Sequence, residues 1–288
     1  MRAVHSHGVV LSLAILLVSA LVPLAAFAAG EDELVGLINA RRAEPLGCSG
    51  QREAPLGPLA PSRLLASVDA ASAGNDLGKA LEDAGYRAST ASTIALSGVA
   101  DAAAALRLIE QQHCDVLRNR RFAEIGVAHH GTNWRINVAA PLLSPDLGDW
   151  RAAGRAVLRL VNDARRRGAT CGRRTFRAAP PLAWNDRLAA AALAHSRDMA
   201  EHDYFNHVDG AGRSVGERAA QQGYRWRLIG ENIASGQGSP QQVVAGWLAS
   251  PGHCANIMAP DFAEMGAAYA TDPKAAMDIY WTQVFGTR

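Results

Sequence analysis

Two histidines and a glutamate stand where a side chain can face an open surface instead of a core. His207 follows a helical pattern and precedes the turn-forming residues VDGAG, and Glu231 lies between Gly230 and Asn232 at the start of an apolar segment. A carboxylate beside an imidazole can fix its tautomer and leave the other ring nitrogen free as a base or a ligand. His207 and Glu231 are therefore candidates for that chemistry.

The third candidate, His253, lies in the sequence SPGH. Ser250 followed by proline is typical of a helix N-terminus, which places His253 in the first turn. Backbone N–H groups at such an end favour anions. The alternative for Glu231 and His253 is a buried polar network that ties loops together, because such networks also specify cores.

Several better-known chemistries are not indicated. No HExxH sequence occurs, and two histidines are too few for a structural zinc site. Residues 212–216 match GxSxG, but a polar loop precedes them where a nucleophile elbow needs a buried strand. His195 falls on the apolar stripe of its predicted helix and is interpreted as an internal histidine. The arginine cluster at 165–177 is interpreted as a solvated basic loop.

The elements that must hold these residues alternate between helices and strands. Apolar spacing predicts a helix over 155–167 ended by Gly168, and Asn185 is a predicted N-cap for the helix that carries His195. Residues 262–270 and 277–285 are rich in aromatic and β-branched residues and predict an antiparallel pair. An α+β fold with helices on both faces of a sheet follows.

Four short signatures occur in fixed order: FNH at 205–207, GENIA at 230–234, SPGHCANIM at 250–258 and YWTQVFG at 280–286. Together they resemble the CAP superfamily of cysteine-rich secretory, antigen 5 and pathogenesis-related 1 proteins, over roughly residues 155–288. The resemblance implies an α-β-α sandwich with a small antiparallel sheet between helical layers. It also implies one cleft that holds His207, Glu231 and His253, with Tyr280 near its rim.

The fourth member of that cleft, usually a second glutamate in relatives, falls near Ser250. This departure makes the site less acidic and weakens the case for a divalent metal at His207 and His253. We therefore expect no cofactor.

The chain also repeats itself. Residues 112–128 (QHCDVLRNRRFAEIGVA) match residues 252–268 (GHCANIMAPDFAEMGAA), and each half contains Gly-Tyr-Arg. Two tandem copies are predicted, a degenerate one over 29–144 and an intact one over 145–288. In the first copy Thr93 and Ile94 occupy the positions of Glu231 and Asn232, and only His113 survives from the site, so this copy is interpreted as a scaffold.

The repeat also predicts which cysteines form disulfides. Four cysteines allow three connectivities. Each copy holds one after its first helix and one directly after a histidine, which predicts the bridges Cys48–Cys114 and Cys171–Cys254.

The N-terminus predicts export. Arg2, the apolar run at 9–22 and the sequence Ala-Phe-Ala at 26–28 are typical of a cleaved signal peptide over residues 1–28. We expect a secreted or periplasmic protein that contacts membrane only through that peptide. A formal net charge of +2 argues against nucleic acid as partner.

The sequence favours a protein that binds an extracellular lipid or peptide in a His/Glu cleft. Two alternatives stay open: a hydrolase with a histidine base oriented by Glu231, and a structural envelope protein. No serine, cysteine or threonine nucleophile is marked, which favours binding over catalysis.

Overall fold

The computed structural model describes residues 28–142 and 147–288, here called the N-terminal and C-terminal halves. The predicted signal peptide, except Ala28, and the predicted domain boundary after residue 144 lie outside these residues. The N-terminal half contains helices α1 (Ala28–Arg42), α2 (Arg63–Ser67), α3 (Leu77–Asp83), α4 (Ala102–Gln112) and α5 (Cys114–Leu117), and strands β1 (Ala60–Pro61), β2 (Ala88–Leu96), β3 (Glu124–His130) and β4 (Asn133–Pro141).

The C-terminal half begins with the long helix α6, which starts after the N-cap Asp149 and ends before Gly168. Its helices are α6 (Trp150–Arg167), α7 (Asp186–Glu201), α8 (Val215–Gln221), α9 (Pro240–Leu248) and α10 (Pro251–Met258). Its strands are β5 (Ala169–Cys171), β6 (Arg174–Phe176), β7 (Ala183–Trp184), β8 (Leu228–Ser235), β9 (Glu264–Thr271) and β10 (Ile279–Thr287). None of the helices in the described ranges combines the length and apolar character that a membrane span needs.

Each half is built on one four-stranded sheet, and the two sheets have the same strand order. The orders are β1-β3-β4-β2 and β7-β9-β10-β8. The predicted antiparallel pair is confirmed as β9 and β10. The sequence predicted an antiparallel sheet, but both sheets are mixed. Strand β1 pairs in parallel with β3, and β7 pairs in parallel with β9. Strands β1 and β7 are two residues long, too short for a periodic pattern to reveal them.

The C-terminal sheet lies between two layers of helices. Apolar side chains of α6, α9 and α10 pack on one face against Met265, Trp281 and Phe285. Helix α7 packs on the other face against Ala268, Val284 and Tyr280. The close approach of α7 depends on Gly266, because a Cβ there would lie 2.0 Å from the Ala189 nitrogen. In this arrangement Glu231 of β8 lies near the loop that follows α7.

Arg165 is the main correction to the sequence interpretation. It is fully buried, and it donates hydrogen bonds to the carbonyls of Pro180, Ile257, Ala259 and Phe262 over 2.7–3.3 Å. The predicted solvated basic loop is therefore wrong for this residue. Arg42 does the same in the N-terminal half, donating to the carbonyls of Gly57, Leu117, Asn119 and Phe122. A guanidinium offers five N–H donors in a fixed plane, which suits it to join chain segments in this way.

Both predicted disulfides are confirmed. Cys48 joins Cys114 and Cys171 joins Cys254, with Cα–Cα distances of 5.5 Å in each. The second bridge ties the hairpin after α6 to α10, the helix that carries His253. The bridge therefore fixes one side of the candidate site.

Candidate functional site

Glu231 is the centre of a buried charge cluster. It lies on β8, and its side chain is only 2% exposed. Because neighbouring residues of a strand face opposite sides, Glu231 points to the α7 layer while Asn232 points to the α10 layer. One carboxylate oxygen, Oε2, accepts a 2.6 Å hydrogen bond from the guanidinium of Arg218. The other carboxylate oxygen, Oε1, is free to accept from a second donor.

Arg218, on α8, compensates the charge of Glu231 and also shapes the loop before it. Its side chain is 3% exposed. A second nitrogen, Nη1, donates to the backbone carbonyls of His207 and Arg213 over 3.0 and 2.7 Å. Helix α8 itself is started by Ser214 and Glu217, which form a reciprocal capping box. Ser214 is thus a helix cap, in agreement with the rejection of the GxSxG match.

His207 is the exposed member of the cluster. Its Nδ1 lies 2.8 Å from Oε1 of Glu231, while 56% of its side chain is exposed. A carboxylate oxygen can only accept in this contact, so Nδ1 carries the proton and donates. In the neutral ring the opposite nitrogen, Nε2, then holds the lone pair. The buried pair therefore presents one oriented imidazole to the surface.

His195 supports the same loop from inside. It is fully buried on α7, as its place on the apolar stripe predicted. Its Nε2 lies 2.9 Å from the carbonyl of Asn206 and 4.0 Å from Oε1 of Glu231. Burial lowers the pKa of His195, so the ring is neutral and donates to the Asn206 carbonyl. His195 thus holds the residue that precedes His207.

Ser250 and His253 form a second pair, 2.9 Å apart between Oγ and Nδ1. Ser250 occupies the predicted N-cap position of α10, but its hydroxyl makes no capping bond. Among the described residues, no carboxylate oxygen of Glu231 comes within 4 Å of a His253 ring nitrogen. Burial, and to a lesser degree the charge of His207, lowers the pKa of His253 to about 4.

Backbone and amide contacts join the two pairs. Asn232 donates to the carbonyl of His253 over 3.2 Å, and Asn256 donates to the carbonyl of Glu231 over 3.2 Å. The structure therefore brings His207 and Glu231 into direct contact and Ser250 and His253 into direct contact. A single cleft shared by all four residues stays a prediction.

Tyr280 and Asp203 lie beside this region. The buried Tyr280 hydroxyl donates to Oδ1 of Asp203 over 2.8 Å, and burial raises its pKa. The same oxygen pairs with Arg120 of the N-terminal half at 3.0 Å. No group of three or more histidine, cysteine or acidic side chains in the described ranges is arranged to hold a metal. The absence of a metal at His207 and His253 stays a prediction.

A cavity of about 470 Å³ lies between the halves, next to the histidine loop. The FNH residues Phe205 and Asn206 form part of its wall. The remaining wall comes from both halves: Glu53, Ala54, Pro55, Leu56, Gly57, Arg118, Arg120, Asp203, Tyr204, Ser235 and Met277. Sequence reasoning found neither the cavity nor Arg218. The only signal for Arg218 was an arginine on a short helix between two marked loops.

The C-terminal half is similar to a known protein family. Residues 158–285 match the model of "CAP: Cysteine-rich secretory protein family". This region of the chain is similar to that family. The match begins inside α6 and ends in β10, so the matched region includes His207, Glu231, Ser250 and His253.

The chain is also similar to two Bacillus subtilis proteins. It is 35% identical over 105 residues to the uncharacterized protein YkwD, covering 36% of this chain and 39% of the relative. It is 34% identical over 104 residues to the uncharacterized membrane protein YlbC, covering 36% of this chain and 28% of that protein. The chain thus spans less than two fifths of the length of these curated relatives.

Among solved structures, the chain is similar to an extracellular protein containing a SCP domain from Bacillus anthracis. The identity is 25% and the TM-score 0.42, over 56% of this chain and 53% of the other.

Proposed function

We propose that this chain is an exported CAP-domain protein that binds an extracellular lipid or peptide beside His207. Three observations support export and binding together: the CAP domain, the two disulfides, and the signal-peptide pattern at residues 1–28. Disulfides persist in oxidising compartments such as the periplasm and the extracellular space.

The oriented ring of His207 carries the binding proposal. Burying the charges of Glu231 and Arg218 has a desolvation cost of several kcal/mol for each ion. Here both buried groups contact His207, Glu231 through the ring and Arg218 through the carbonyl, yet the ring is 56% exposed. A polar group held in one orientation at the surface by buried partners is typical of a prepared binding site.

The neighbouring cavity gives such a ligand an apolar partner surface. Its wall includes Leu56, Phe205 and Met277, with a few charged groups at the edge, and its volume of about 470 Å³ is in the range of small-molecule sites. An acyl chain or an apolar side chain would occupy the cavity. A polar group of the same ligand would accept or donate at His207.

We further propose that the two halves are tandem copies, over 29–144 and 145–288, of which the first has lost its site. The shared strand order, the paired disulfides and the matching roles of Arg42 and Arg165 support this. The N-terminal copy then serves as a scaffold and supplies residues 54–57 to the cavity.

Mass spectrometry of molecules retained by the exported, purified protein tests the binding function. We expect His207→Ala, alone or with His253→Ala, to reduce the retained lipid or peptide at least tenfold, with an unchanged circular dichroism spectrum. His202→Ala is the matched control, because His202 is 64% exposed and contacts Asp198 instead of Glu231. Equal retention by all variants, or a wild-type protein that retains nothing, would contradict the proposal.

A hydrolase is the second candidate, because a carboxylate on Nδ1 leaves Nε2 of His207 as a general base. No serine, threonine or cysteine side chain hydrogen-bonds to His207 in the described ranges, so water would be the nucleophile. Turnover of a peptide or ester library that is lost in His207→Ala and kept in His202→Ala would favour this candidate over binding. A structural envelope role would leave both readouts unchanged.

A further inference from the structure

The outer strand of the N-terminal sheet is unusually open for an edge. Strand β2 is last in the order β1-β3-β4-β2, and its sequence ASTASTIAL contains no charge and no proline. Edge strands in soluble proteins are normally protected by charged side chains, proline or a covering element, because their free N–H and C=O groups pair with other strands. Strand β2 has no charge and no proline, and its one shift in register lies at its start, between Ala88 and Thr90.

The equivalent edge of the C-terminal sheet is covered. Strand β8 is last in β7-β9-β10-β8. Its Glu231 carbonyl accepts from the side chain of Asn256, and its Ile233 carbonyl accepts from the indole N–H of Trp247 over 3.1 Å. Helices α9 and α10 thus supply hydrogen-bond donors that occupy this edge.

The sheet register identifies the same positions in β2. Thr93 pairs with Asn137 as Glu231 pairs with Val284, and Ala95 pairs with Arg135 as Ile233 pairs with Thr282. Both Thr93 and Ala95 are exposed, and no described side chain donates to their carbonyls. The His-Cys alignment places Arg107 and Val116 where the covering Trp247 and Asn256 stand. The covering donors are therefore absent at these two positions.

We propose that β2 pairs in antiparallel fashion with β2 of a second copy of this chain. A two-fold axis at Thr93 would set Ala91 opposite Ala95 of the second copy, and every pair from residue 90 to residue 96 would join uncharged residues. The self-complementary, uncharged strand selects a second copy over a charged partner, because no like charges are opposed. The two sheets would join into one continuous sheet of eight strands.

A groove beside the strand extends this surface. It is lined by residues of α3 and by the first half of β2, and its wall includes Leu77 and the 45% exposed Leu142. A strand pair alone buries less than the ~1,200 Å² of a stable interface. We therefore expect a reversible, concentration-dependent dimer.

Sedimentation equilibrium of the full mature chain, from micromolar to about millimolar concentration, tests the proposal. The wild type should approach twice the monomer mass, and Thr93→Lys/Ala95→Lys should weaken association at least tenfold by opposing like charges. Gln111→Lys/Gln112→Lys is the control, since it adds the same charge at exposed positions at the end of α4. Circular dichroism confirms that each variant folds.

Hydrogen exchange gives an independent readout. Amides of Ala91, Thr93 and Ala95 should become protected as the protein concentration rises. A monomer at every concentration would overturn the proposal. So would a dimer that the Thr93→Lys/Ala95→Lys variant leaves intact, or protection of β2 that requires a different protein.

Discussion

The two halves keep the same framework and differ at the site. In both, an asparagine on the first helix exchanges two hydrogen bonds with a leucine 20 residues later: Asn39 with Leu59 and Asn162 with Leu182. In both, a tyrosine hydroxyl donates to the glutamate that begins the equivalent strand: Tyr86 to Glu124 of β3, and Tyr224 to Glu264 of β9. At the position of Glu231, however, the N-terminal sheet carries the exposed Thr93. The two halves therefore share framework contacts without sharing the contacts of the site.

The disulfides offer the largest test of an equivalent framework. The two bridges close segments of 66 and 83 residues, so the chain-entropy model gives about 4 kcal/mol for each. Cys48→Ala/Cys114→Ala and Cys171→Ala/Cys254→Ala should therefore lower the free energy of unfolding by nearly equal amounts, measured in urea. Peptide mapping of the wild type without reductant supplies the control. A cost confined to one bridge would show that the halves do not share their framework.

Glu231 and Thr93 should differ sharply although they occupy equivalent positions. Glu231→Ala leaves the buried Arg218 charge without its partner, which should cost about 3 kcal/mol of unfolding free energy. Thr93→Ala removes an exposed side chain and should change it by less than about 0.5 kcal/mol.

The double variant Glu231→Ala/Arg218→Met separates charge from packing. It removes both charges and should recover part of the loss caused by Glu231→Ala. A double variant less stable than Glu231→Ala would contradict the view that the unpaired charge is the main cost.

The tyrosine–glutamate contacts should differ by burial. Glu124 is buried and burial raises its pKa, whereas the Glu264 side chain is 22% exposed and also contacts Arg288 and Asn185. Tyr86→Phe should therefore cost about 1.5 kcal/mol and Tyr224→Phe about 0.5 kcal/mol, measured by thermal and urea unfolding. The reverse order would show that the N-terminal contact is the weaker one.

A pH dependence of stability is expected from His253. Its folded pKa of about 4 lies below the ordinary value of 6.5, so the unfolded state binds more protons between these values. Stability from this group is present above pH 6.5 and is lost as the pH falls toward 4. His195 acts in the same direction.

Between pH 7 and pH 5, His253→Gln should remove about 1 kcal/mol of the decline in unfolding free energy, because the ring is partly exposed. His113→Gln, at the aligned position of the N-terminal half, is the matched control. Identical pH profiles for wild type and His253→Gln would contradict the assignment.

The sequence correctly predicted features that depend on neighbouring residues, such as helix caps and hairpin strands. Asn185 caps its helix as expected, and β9 and β10 pair as expected. Arg165 and Arg218 were missed because their partners are carbonyls and a carboxylate far along the chain, which no spacing rule connects. The repeat predicted both disulfides because it supplied long-range information that periodicity lacks.

Gln237 shows how closely the C-terminal half depends on the N-terminal half. This buried side chain of the C-terminal half donates to the carbonyls of Pro58 and Ala123 in the N-terminal half, over 2.7 and 3.3 Å. A protein that consisted of the C-terminal half alone would leave this amide, and the surface beside Gly246 that faces Ala60, open to water. Loss of the whole N-terminal half would therefore require Gln237 and its neighbours to change at the same time.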